Sequence, residues 1–279
     1  MRKIKFEILV NAVESLCAEA NFELPKDILK SIKQNSILET GIAKDILKEI
    51  VKNAVIAKKE KIPLCQDTGT ANFFVKLGRN VNIEDGNICD AINKGVSLGY
   101  INNYLRKSIV SDPIERRNTQ DNTPANIYLD MIDGDKIEII FLPKGGGSEN
   151  ASMLKMLVPS VGWAGIKEFI LNSVNDKGRN ACPPLVIGVG IGGDFTSVCL
   201  LSKKALLREI GSKNKNTFYC DKEQELLNDI NKLNIGPMGI GGKTTALAAF
   251  IETKPTHIAS LSVAVSIQCH SCRRKTVII

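Results

Sequence analysis

Residues 258–267 form a nearly unbroken apolar run, carried by Ile258, Leu261, Val263, Val265 and Ile267. A run of that kind is a strand buried inside a sheet. It stops at a polar segment, Gln268-Cys269-His270-Ser271-Cys272-Arg273-Arg274. A second apolar strand, Leu185-Val186-Ile187-Gly188-Val189, follows another cysteine segment, Asn180-Ala181-Cys182-Pro183-Pro184. Buried strands need covering layers, and the chain opens with candidates. Phe6, Leu9, Val13, Leu16 and Cys17 share one helical face, Pro25 begins a second helix, and residues 36–59 repeat apolar positions every three or four residues.

Further helices are predicted over 85–105, 158–174, 194–208 and 221–233, and strands over 72–77 and 245–251. Residues 127–132 and 136–143 flank Asp133-Gly134 and read as a β-hairpin. The expected fold is mixed α/β: an N-terminal helical layer over about 1–60, then β-strands interleaved with helices, all in a single domain over 1–279.

Eight cysteines in 279 residues are too sparse for a disulfide scaffold. Glu7, Asn11 and Glu14 interrupt any signal-peptide core, and no apolar run is long enough to span a membrane. A reducing, cytoplasmic setting is therefore expected, where cysteines bind metal, react or are simply buried. The net charge of +7 is spread along the chain and fits a solvated surface. An aromatic content of 5% argues against a base-stacking nucleic-acid platform.

Three glycine-rich stretches suggest anion binding. Gly188, Gly190 and Gly193 match a dinucleotide fingerprint, but no acidic strand end follows about twenty residues later. Gly241-Gly242-Lys243-Thr244 resembles the end of a P-loop, yet Pro237 stands where its first glycine belongs. Lys144-Gly145-Gly146-Gly147 follows a strand and offers backbone N–H groups to an anion. Cys269 and Cys272 form a lone CxxC with no second pair for zinc. Cys17, Cys89, Cys199 and Cys220 fall in or beside helical patterns and are read as buried thiols.

Cys65 sits in Pro63-Leu64-Cys65-Gln66-Asp67-Thr68-Gly69-Thr70, between a helix and a strand. Alone it reads as a buried cysteine beside a capping aspartate. Together with loop-borne Cys182 and Cys269 it fits an iron–sulfur cluster with one iron left open. A nucleotide-binding protein and a zinc or simple thiol protein remain as alternatives.

The four segments around Cys65, Lys144, Cys182 and Cys269 occur in the order found in class I fumarate hydratases and L-tartrate dehydratases, and the chain resembles their α subunit along its whole length. The resemblance implies a [4Fe-4S] cluster held by Cys65, Cys182 and Cys269, with one open iron. Asp67 is then a proton-transfer candidate. Gln66, Asp67, Arg106, the backbone of Lys144, Gly145, Gly146 and Gly147, and His257 are the substrate contacts. Cys272 has no ligand role in that pattern. The implied reaction is reversible hydration of fumarate to malate, a step of the tricarboxylic acid cycle, with L-tartrate dehydration as the alternative. The chain is somewhat short for a tartrate-type α subunit, which inclines the reading to fumarate. A separate β subunit is also implied, with two α and two β chains in a heterotetramer.

Overall fold

The computed structural model describes residues 1–279. The chain divides into two compact units: Met1–Pro25, Ala54–Gly146 and Arg273–Ile279 form the first, Lys26–Asn53 and Gly147–Cys272 the second. Each has its own core. The fold is mixed α/β, with a helical N-terminal layer.

In the first unit, β1 (Arg2–Lys5) pairs in parallel with β3 (Val81–Glu84), and α1 (Phe6–Phe22) packs against α4 (Ile88–Asn102). Asn87 caps α4 by accepting the Asp90 N–H, which explains a start later than the apolar pattern suggests. The main sheet has the order β10-β5-β2-β4, with β2 at Thr70–Gly78, β4 at Asn126–Ile132, β5 at Ile137–Lys144 and β10 at Lys275–Ile278. Its buried face meets α1 and α4 through Leu9, Val13, Phe73, Ile92, Val96 and Phe141.

The expected hairpin is not a pair. β2 lies between the two strands, parallel to β4 and antiparallel to β5. The turn instead closes over the end of β2: the N–H groups of Gly78, Arg79 and Asn80 donate to the carbonyls of Lys136, Ile132 and Gly134. The central place in the sheet goes to the strand whose side chains are almost all buried. β4, whose pattern is mostly exposed, takes the edge.

The second unit contains α2 (Lys26–Leu38), most of α3 (Gly41–Glu60), α5 (Gly146–Asn150), β6 (Met153–Leu157), α6 (Gly162–Lys177), β7 (Leu185–Gly192), α7 (Ser197–Ala205), α8 (Thr217–Lys232), β8 (Ala246–Lys254) and β9 (Leu261–Gln268). The pattern over 36–59 is not one helix. The chain breaks between α2 and α3, where the Glu39 carboxylate accepts the Thr244 N–H and Gly41 takes φ +54°. The sheet order is β6-β9-β7-β8. β9 and β7 are its buried centre, as their apolar runs predict. The register pairs Val186 with Gln268 and Ile191 with Val263, so the start of β7 lies beside the end of β9.

The dinucleotide fingerprint has a different purpose. A Cβ on Gly188 would lie 2.2 Å from the Ser202 carbonyl oxygen, and one on Gly190 2.3 Å from that of Val198. These glycines let α7 lie directly on β7, so the nucleotide-binding reading loses its main support. No helix is long and apolar enough to cross a membrane.

Candidate active site

In the first unit, the segment after α3 enters the Cys65 turn through Leu64, whose N–H donates to the Asn21 carbonyl at 2.9 Å. Cys65 and Gln66 are exposed. The Asp67 carboxylate is held at both oxygens. Oδ1 accepts the Gly69 N–H at 3.0 Å and Oδ2 accepts the Gly146 N–H at 2.7 Å. The Asp67 N–H points to Cys65 Sγ at 3.4 Å.

Two glycines make this geometry possible. Gly69 has φ +79°, and a Cβ there would lie 2.8 Å from the Lys144 backbone nitrogen. A Cβ on Gly145 would lie 2.8 Å from Asp67 Oδ2. Both positions therefore demand the absence of a side chain.

The turn is also supported from behind. Tyr100, fully buried, directs its hydroxyl at the carbonyls of Thr68 and Gly69, each at 3.0 Å. Burial pushes the Tyr100 phenol far above its usual range, so it stays protonated and donates. Asn122 donates to the Gly69 carbonyl at 3.2 Å and accepts the Ser108 N–H at 2.7 Å. Thr68 Oγ1 donates to the Arg106 carbonyl at 3.0 Å. The long polar loop is thus sewn to the Asp67 turn, and Arg106 is placed by it. The Arg106 side chain is exposed and makes no ion pair.

In the second unit, Cys182 ends a short helical turn at Gly178–Ala181, with left-handed backbone at φ 52°. It precedes β7, and Cys269 follows β9, so the antiparallel register brings both to the same end of these two strands. The His270 N–H donates to the Cys182 carbonyl at 3.3 Å, and His270 Nδ1 lies 3.0 Å from the same oxygen. Cys269 donates its N–H to Ser148 Oγ at 3.2 Å. Gly147 sits against Asn180, whose carbonyl oxygen a Cβ would approach to 3.0 Å.

The structure therefore joins Cys65, Gln66, Asp67, Arg106, Lys144, Gly145 and Gly146 in the first unit, and Cys182, Cys269 and Gly147 in the second. His257 is not brought to the two thiols of its unit. It is exposed in the loop before β9, while Cys269 follows the far end of that strand. Eight extended residues separate the ends by roughly 26 Å. Nowhere do three or more His, Cys, Asp or Glu side chains converge as ligands of a single metal ion.

Three of the remaining thiols differ from expectation. Cys17 and Cys272 are buried, but Cys89 and Cys199 are exposed and Cys220 is half-buried. Helical patterns alone did not separate the outer face from the inner one. Sequence reasoning also missed Asn21, Tyr100, Asn122 and Arg273. Each acts on the turn from far away in the chain, and only Arg273 stood next to a recognised motif.

Residues 10–278 match the family described as Fumarate hydratase (Fumerase). The chain belongs to the fumarate hydratase family, a family of hydro-lyases. It is 42% identical over 95% of both chains to a Methanocaldococcus jannaschii protein provisionally named L(+)-tartrate dehydratase subunit alpha. Two Escherichia coli proteins named L(+)-tartrate dehydratase subunit alpha, from O157:H7 and K12, are each 32% identical over 97% of this chain and 90% of theirs.

Proposed function

We propose that this chain is the α subunit of a [4Fe-4S]-dependent hydro-lyase that reversibly hydrates fumarate to malate, both units of 1–279 acting as one α half. The observation that carries the reading is the Asp67 carboxylate, fixed by two backbone N–H groups beside Cys65 and in the same unit as unpaired Arg106.

Cys65, Cys182 and Cys269 would hold the cluster. The donor set fits: three thiols on loops, two exposed and one half-buried, are soft ligands for iron. When bound, the cluster supplies Lewis acidity at its open iron for a hydroxyl and a neighbouring carboxylate.

The chain's own residues do the remaining work. Arg106 binds one substrate carboxylate through its planar fork. Gln66, exposed next to Cys65, offers its amide to the substrate. The backbone of Lys144, Gly145, Gly146 and Gly147 lines the approach, its glycines leaving room next to Asp67. Asp67, pinned in one orientation, accepts or returns a proton without first having to order itself. A second cation for the other carboxylate, and the base at carbon, come in this reading from a β subunit. The names of the relatives, each a "subunit alpha", support such a partner. An α2β2 assembly in a reducing cytoplasm, serving the tricarboxylic acid cycle, completes the proposal.

L(+)-tartrate is the second reading, favoured by the names those relatives carry. Chain length does not separate the two, because the Methanocaldococcus jannaschii protein is covered as fully as this chain. The test is anaerobic reconstitution with iron and sulfide, with and without the β chain, followed by assays of fumarate hydration and L-tartrate dehydration. Fumarate turnover by the mixture, and none by α alone, is expected. Turnover of L-tartrate only would replace the substrate, and equal turnover by α alone would remove the partner.

A further inference from the structure

Arg273 has the largest fully buried side chain of the protein. Its guanidinium meets no carboxylate. Nη1 donates to Asn21 Oδ1 at 2.7 Å, Nη2 donates to the Asp67 carbonyl at 2.9 Å, and Nε has no partner. A buried charge without a counter-ion is costly, so its presence here calls for a compensating role.

Both acceptors lead to the same turn. Asn21 takes Arg273 on its side-chain oxygen and the Leu64 N–H on its backbone oxygen, at 2.9 Å. Its own amide nitrogen is anchored to the Cys17 carbonyl at 2.8 Å, which fixes which end faces Arg273. One guanidinium thus grips Leu64 through Asn21 and Asp67 directly, while Cys65 and Gln66 span the gap between the two tethers. We infer that Arg273 is the positioning residue of the Cys65–Asp67 turn, a clamp that holds thiol, amide and carboxylate in register from beneath. Its catalytic consequence rests on the hydro-lyase reading; its structural claim does not.

The fork is essential to this role. Lysine keeps the charge but offers a compact ammonium in place of two diverging N–H pairs. It cannot hold Asn21 and Asp67 in the same geometry.

The test uses Arg273→Lys in the full chain, first by hydrogen exchange on the protein without cluster or substrate. Exchange in a peptide covering 64–70 should quicken about tenfold, while a peptide from β2 covering 72–77 keeps its protection. A merely structural role would raise both together, and unchanged exchange in 64–70 would overturn the clamp. In the reconstituted α plus β enzyme, kcat should fall by up to roughly 10²-fold with KM nearly unchanged, because the turn is misplaced rather than removed. A lost clamp with normal kcat would refute the catalytic consequence. If neither protein turns over any dicarboxylate while the exchange result holds, the hydro-lyase reading fails and the clamp stands. Asn21→Ala, which removes the relay and keeps the guanidinium, carries the same local exchange prediction should Arg273→Lys not fold.

Discussion

Gly69→Ala perturbs the turn at its tightest point. The residue has φ +79°, which costs an alanine about 1–2 kcal/mol. Its Cβ would stand 2.8, 2.9 and 3.0 Å from the N, C and O atoms of Lys144. Those are backbone atoms in a paired strand, where Thr70 opposes Lys144, so no flexible side chain can yield. Forcing the strands apart adds about 1–3 kcal/mol. The sum centres at about 3.5 kcal/mol, a melting-point loss of roughly 7–14 °C for a chain of this size. The displacement also passes to Asp67, whose Oδ1 accepts the Gly69 N–H. Turnover should fall about tenfold or more for a shift of about half an ångström. Gly134→Ala is the control. It has φ +106° with nothing within 4 Å of a Cβ, so it carries the conformational cost alone. Its melting loss should be about half as large or less, with normal turnover. The assays are thermal melting by circular dichroism and fumarate hydration by the reconstituted enzyme. A Gly69→Ala protein melting within about 1 °C of the parent, with parental turnover, would refute the steric argument.

Gly145→Ala presses on Asp67 Oδ2 from 2.8 Å without backbone strain, so kcat should fall while the melting point drops by no more than about 2–4 °C. Steady-state kinetics beside a melting curve separate the two. Arg106→Ala should raise KM for the dicarboxylate by roughly 10–100-fold with the iron content unchanged, and a parental KM would take Arg106 out of the site. Glu225 is lowered from 4.5 to about 2 by Lys167 first, then Lys222 and Trp163. A lowered carboxyl adds stability above its unfolded value and loses it as pH falls towards 2. The urea midpoint of Lys167→Met should therefore lie below the parent's at neutral pH, and the gap should narrow in acid; a gap independent of pH would contradict this.

Much of the architecture was legible because burial leaves a periodic trace. The apolar runs of β7 and β9 announced the centre of a sheet, and α1 and α4 showed their inward faces. Short edge strands such as β1, β3, β6 and β10 carry too few buried positions to do so. The false hairpin had correct strands and a correct turn. Its error was one of pairing, since nothing in residues 126–144 says that β2 lies between them. Gly188 and Gly190 showed the converse: a motif can arise because a helix must touch a strand. At the site, the candidate residues lay within recognisable segments. The supporting groups were not legible there, even Arg273 beside Cys272, because Asn21, Tyr100, Asn122 and Arg273 reach the turn across sequence separations that periodicity cannot see.

The central claim is that Cys65, Cys182 and Cys269 serve one cluster. Iron, sulfide and visible absorption, measured on anaerobically reconstituted Cys65→Ser, Cys182→Ser, Cys269→Ser and Cys89→Ser proteins, test it most directly. The account predicts that each of the first three loses the cluster and that Cys89→Ser, altered at an exposed helical thiol, retains it. Full cluster content in Cys65→Ser or Cys182→Ser, or its loss in Cys89→Ser, would contradict the assignment.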